Sequence, residues 1–79
     1  MVMTRFYFHI RDGDQVERDL EGIEFSNVQA AEQEALMAAR EMVAELVMQG
    51  QRIEGKIFEI DDENGNRVLA VPFLSTVIN

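Results

Sequence analysis

Residues 27–49 contain neither glycine nor proline, and Gly50 closes the run. Within it Val28, Ala31, Ala35, Leu36, Ala39, Met42, Val43, Leu46 and Val47 recur at about 100° per residue and fall on one broad face, the signature of an amphipathic helix. Ser26 is placed as the N-cap, with Gln29 three residues later completing a capping-box pattern. Gly50 stands where a left-handed C-cap belongs. A helix this long with an apolar face this wide cannot stand alone. It needs a sheet to cover, and its alanines let the helix axis approach that sheet closely.

The flanking segments supply such a sheet. Arg5 to Arg11 alternate in period two, with Phe6, Phe8 and Ile10 on one side and Arg5, Tyr7, His9 and Arg11 on the other, which reads as a half-buried strand. Asp12-Gly13-Asp14 carries turn chemistry. A three-residue loop there places Val16 opposite Ile10 and Glu17 opposite His9, and is preferred to a two-residue loop because it keeps apolar residues together. The second strand, 15–19, is polar and suits a sheet edge, and Glu21-Gly22 forms a further turn. After the helix, Asn64-Gly65 is a type I′ hairpin signal. Used as a two-residue loop it pairs Ile60 with Leu69 and Phe58 with Val71, all on one face. A two-residue slip keeps the same parity and stays open. Pro72 lacks an N–H and marks a strand end or an edge.

The expected fold class is therefore α+β: one domain, 1–79, a two-layer ββαββ arrangement with a four-stranded antiparallel-type sheet and one long helix on one face. The expected bounds are strands 4–11, 15–19, 56–62 and 67–73 and helix 27–49. Phe6, Phe8, Ile10, Phe58, Ile60, Leu69, Val71 and Phe73 form the sheet side of the core. Strand order is open.

Composition narrows the function more by exclusion than by proposal. With 79 residues the chain has room for a single domain. There is no cysteine, hence no disulfide, thiolate metal site or thiol nucleophile, and a single histidine leaves any imidazole chemistry to His9. Fifteen acids against seven bases, a formal charge of −8, argue against binding phosphate backbones and so against nucleic acid. The N-terminal apolar stretch is short and broken by Arg5, His9 and Arg11, unlike a signal peptide. No run reaches the roughly 18 apolar residues of a membrane span. A cytoplasmic protein with no membrane partner is expected.

Taken in order, the opening FYFHIRDGD, the segment DLEGIEF, the Ala/Glu-rich helix ending at Gly50 and the segment GKIFEIDDENGNRVLAVPF resemble a small alphaproteobacterial family of unknown function, common in rhizobia and their relatives. The resemblance spans almost the whole chain, through Phe6 to Gly13, Asp19 to Gly22, Phe58 to Ile60 and Val71 to Phe73. It implies no activity.

Individual residues point to surfaces rather than to catalysis. Histidine is the side-chain type best suited to proton transfer near neutral pH, but as a residue of the sheet face away from the helix His9 reads as a surface histidine paired to a carboxylate. The segment 61–66 superficially looks like a calcium loop. Aligning Gly65 to the loop glycine, however, puts Ile60 and Val71 where carboxylates are needed. No metal site, cofactor site or catalytic residue is assigned, and the chain is not expected to be an enzyme. Two candidate surfaces are left. The first is the outer sheet face, where Arg5, Tyr7, His9 and Arg11 gather basic and aromatic character beside Val68 and Ala70. The second is the back of the helix, where Met37, Ala44 and Met48 form a stripe with Ala30. The leading expectation is an interaction or regulatory module, acting on a protein partner or on a second copy of itself as a homo-oligomer. The alternative is a small anionic ligand held at Arg5, His9 and Arg11.

Overall fold

A computed structural model describes residues 2–77; Met1, Ile78 and Asn79, the extremes of the expected 1–79 domain, lie outside the described residues. The elements in chain order are β1 (Thr4–Asp12), β2 (Gln15–Glu17), β3 (Ile23–Phe25), α1 (Val28–Met48), β4 (Lys56–Asp61) and β5 (Arg67–Pro72), followed by a 3₁₀ turn at Phe73–Thr76. The sheet runs β2-β1-β4-β5, all antiparallel, with β3 also paired to β1. The α+β class expected from the sequence is the one found, with one strand more than the expected four.

That extra strand changes how the first half of the chain is held. β2 covers Ile10–Asp12 of β1 and β3 covers Thr4–Phe6. Between them Tyr7–His9 have no strand neighbour on that edge among the described residues, and the chain bows away through 18–22. Ile23–Phe25 is too short and too exposed to show a clean period. It is a strand only because this connection returns the chain to β1.

Both hairpins differ from expectation in their loops. The β1–β2 loop has two residues, not three: Asp12 faces Gln15, Arg11 faces Val16 and Ile10 faces Glu17. Gly13, with φ +63°, occupies the first loop position, as a type II′ turn requires. Val16 thus shares a face with Arg11 and is 38% exposed. All three β2 residues are exposed, so matching Val16 to the core would have gained too little to override the turn. In the β4–β5 hairpin the expected pairs, Ile60 with Leu69 and Phe58 with Val71, are present. The turn between them is not type I′. Asn64 has no positive φ while Gly65 has φ +84°, and the Gly65 N–H donates to the Asp62 carbonyl at 3.1 Å. A three-residue loop, 63–65, results, closed by Asp62 N–H to Asn66 O. A register shift next to Asp61, which faces Arg67, then restores the Ile60–Leu69 pairing. The odd loop and the bulge compensate, so the apolar parity survives.

The helix starts one residue later than expected. Its N-cap is Asn27, not Ser26, and the Asn27 side chain accepts from the Ala30 N–H at 2.8 Å. At the other end Gly50 N–H donates to Val47 O and Gln51 N–H to Leu46 O, a Schellman closure with Gly50 at φ +72°. Ala31, Ala35 and Ala39 are fully buried, one turn apart, and Val43 continues the row. This row sits on Phe6, Phe58, Ile60, Val71 and Phe73, with Phe8, Ile10, Leu36, Met42, Leu46 and Leu69 around it. Val28 and Val47, expected in the stripe, lie at its exposed ends. Phe73 is in the 3₁₀ turn rather than the last strand, yet is wholly buried, its ring centroid 5.0 Å from that of Phe58.

Candidate functional site

The face of the sheet away from α1 carries Tyr7, His9 and Arg11 from β1, Glu59 and Asp61 from β4, and Arg67 from β5. Direct neighbours across β1 and β4 are Tyr7 with Asp61 and His9 with Glu59. The polar contacts instead run diagonally: Arg11 Nε to Glu59 at 2.9 Å and His9 Nε2 to Asp61 at 3.3 Å. Diagonal neighbours lie within reach of long side chains on a twisted pair. Arg67 completes the row, bridging Asp61 and Glu59. Charges of alternating sign therefore run from Arg11 through Glu59 and Arg67 to Asp61, whose carboxylate meets the His9 ring. The hydrogen bond that Arg67 donates to Asp61 holds the guanidinium even more firmly in its charged form, against a smaller opposing effect of burial.

His9 is not a surface histidine. It is 3% exposed, the one buried polar or charged residue among those described. What covers it is the 18–22 connection. The Asp19 backbone N–H donates to His9 Nδ1 at 3.1 Å. A nitrogen that accepts this bond carries no proton, so the ring proton sits on Nε2 and points at the Asp61 carboxylate. Both ring nitrogens are thereby satisfied, and the neutral tautomer is set by the backbone of a loop ten residues away in sequence.

Asp19 organises that loop. Its Oδ2 accepts from the Phe8 N–H at 3.0 Å, on the β1 edge left open between β2 and β3. Its Oδ1 accepts from the N–H groups of Glu21 at 3.2 Å and Gly22 at 3.1 Å. One carboxylate thus replaces a missing strand partner and closes an Asx turn. Partial burial pushes this carboxyl up, but the donors Phe8, Gly22 and Glu21 together outweigh it. The net effect holds Asp19 below the ordinary carboxylate value. Gly22 returns the chain at φ +70°, and a Cβ there would lie 2.8 Å from the Phe6 carbonyl oxygen. Only glycine allows so close an approach.

Of the candidate residues, the structure keeps Tyr7 half-buried on the outer face, its ring inclined 10° to that of His9 with centroids 6.5 Å apart. Arg5 is turned to the loop: it donates to the Glu21 carbonyl at 2.8 Å and pairs with Glu24. With Arg11 on Glu59, neither cation of β1 is left without a carboxylate. Met37, Ala44 and Met48 are exposed on the back of the helix. Sequence reasoning missed Asp19, Leu20, Asp61 and Arg67. Asp19 and Gly22, three apart, carried a turn signal; the burial of His9 had none, because it depends on where the loop lands.

Two shallow concavities adjoin the loop. One, of about 440 Å³, lies over Phe8 and Ile10 and the 17–21 segment. The other, of about 280 Å³, lies on the outer face between 18–20 and the β4–β5 turn, over Tyr7 and His9. Leu20 lines both and is 85% exposed. Arg18 beside it has no carboxylate within 4 Å among the described residues, although five of the other six basic side chains do. No group of three or more His, Asp or Glu side chains that could hold a metal ion is found among the described residues. No helix there is long and apolar enough to cross a membrane.

Comparison with known proteins gives a family model, described as a domain of unknown function (DUF6894), that matches residues 5–75. No curated protein and no solved structure matches the chain.

Proposed function

The chain belongs to the DUF6894 family, and from the geometry of its outer face we propose that the domain is a protein-interaction module that docks through the 18–22 loop and Tyr7. The observation that carries this reading is Leu20. It is a large apolar side chain, 85% exposed, on a loop that is anything but loose. Asp19 ties both neighbours of Leu20 into the fold, and its backbone locks onto a buried histidine. An apolar residue held rigidly in water gains nothing for the isolated fold. For a partner it is a preorganised anchor, because the ordering cost of binding is already met. Arg18, adjacent and with no carboxylate within 4 Å among the described residues, and Tyr7 alongside are residue types enriched at the energetic centres of interfaces.

His9 supports the loop rather than the contact, so its role in this reading is positioning. A small anion at Arg5, His9 and Arg11 draws no support from the arrangement, since both arginines are occupied by carboxylates and the imidazole by its two partners.

The test is capture by the immobilised domain, comparing the parent with Leu20→Asp and Tyr7→Ala. Leu20→Asp, at an exposed position, should leave circular dichroism and melting temperature unchanged; Tyr7→Ala, at a half-buried one, should keep the circular dichroism spectrum with a lower melting temperature. Proteins retained by the parent and lost with either variant support the reading. A retained set that is identical for all three folded proteins sinks it.

A further inference from the structure

We propose that the outer groove between the 18–22 loop and the β4–β5 turn receives an arginine or lysine side chain presented by the partner. This rests on the interaction reading and specifies its chemistry.

The groove has the parts such a side chain needs. Its volume, about 280 Å³, suits one long side chain and is too large for a bare ion. Its floor is the Tyr7 ring beside the His9 ring. An aromatic face attracts a cation, and a guanidinium in particular stacks on it. Leu20 on one wall gives apolar surface for the aliphatic stem. On the other wall stand Asp62 and Glu63, neither of which has a basic group within 4 Å among the described residues. Asp61, deeper in the groove, already serves His9 and Arg67. Asp62 Oδ1 is committed to the N–H groups of Asn64 and Asn66, which fixes its carboxylate at the rim. Free negative charge is thus held at the mouth, over an aromatic floor.

Long-range electrostatics act the same way, since a chain of formal charge −8 draws cationic groups and repels anionic ones. Arg18 is the one basic residue of the lining. It makes the loop side unfavourable for a second cation and leaves the turn side as the place for the charged head.

The chain has a single tyrosine and no tryptophan, so intrinsic fluorescence reports on the groove floor. The probe is an acetylated, amidated Ala-Arg-Ala peptide titrated at low salt, against the same peptide with citrulline in place of arginine. Saturable change in tyrosine emission is expected with the arginine peptide, and binding about tenfold weaker with citrulline, the size of one charge-assisted contact. Glu63→Lys should weaken arginine-peptide binding by a similar factor; this exposed side chain makes no described hydrogen bond or ion pair, so the fold is kept. Arg18→Glu should strengthen it. No saturable change, equal binding of the two peptides, or indifference to Glu63→Lys overturns the proposal. If these fail while capture still depends on Leu20, the interaction reading stands and the basic-side-chain assignment falls. If both fail, both fall.

Discussion

His9 joins three separate parts of the chain: β1 supplies the ring, the 18–22 loop supplies a donor to Nδ1, and β4 supplies Asp61 as acceptor for Nε2. Truncation to His9→Ala leaves the Asp19 N–H without its acceptor and opens a cavity where the ring was. We expect a loss of about 2–4 kcal/mol, combining an unmet buried group with lost packing, measurable by urea denaturation. A loss under about 0.5 kcal/mol, the range of ordinary surface substitutions, would mean that the ring is not buried in solution. Asp19 makes a separate prediction on pH. Its folded value is held below its unfolded value, near 3.9, because three backbone N–H groups favour the ionised form more than burial opposes it. Its contribution is therefore complete above the unfolded value and is lost as pH falls through the folded one. In Asp19→Asn the denaturation midpoint should fall less steeply below about pH 4 than in the parent. Parallel curves for the two proteins would contradict the hydrogen-bonding described for this carboxylate.

The helix shows how local signals and packing share the outcome. Two adjacent residues, Ser26 and Asn27, are both good N-caps by type. The choice between them depends on where β3 delivers the chain, and the structure uses Asn27. Asn27→Ala should cost about 0.5–2 kcal/mol and Ser26→Ala almost nothing. The opposite ranking in thermal melts would restore Ser26 as the cap. Along the body of α1, Ala31, Ala35 and Ala39 are at zero exposure against the phenylalanines of the sheet, so the helix and sheet backbones are as close as a methyl group permits. Enlarging the middle one, Ala35→Leu, should cost about 1–3 kcal/mol through overpacking. A stabilised Ala35→Leu protein would reveal free volume that this packing does not have. The period of the helix and the parity of β4 against β5 were legible because each is written in many residues at once. The loop lengths of both hairpins were not, since a single glycine fits more than one turn type.

For the molecule as a whole, the sheet has one covered face and one open face, and its order places β1 and β4 at the centre. These two strands pair residues 44 to 54 positions apart in the chain, such as His9 with Glu59, so their amides should exchange with solvent only through global unfolding. β2, three exposed residues on an edge, should exchange fastest of the strands. Hydrogen exchange followed by NMR checks this, and equal protection of β2 and β1 would count against the strand order.

The formal charge of −8 reads differently once the fold is known. On the outer face Arg11 and Arg67 are tied into the ladder with Glu59 and Asp61, while Asp62 and Glu63 of the β4–β5 turn have no basic group within 4 Å among the described residues. The sequence by itself determined the α+β class, the helix with its glycine C-cap, the parity of β4 against β5 and nearly all of the core, since each follows from periodicity or from the chemistry of a helix end. It also placed Tyr7, His9 and Arg11 on one face by parity alone. Only the tertiary structure decided that His9 is buried, that Asp19 and Asp61 hold it, and that Leu20 projects beside a groove. Those features arise where three segments distant in sequence converge, and no local pattern records the meeting of a loop with a strand face.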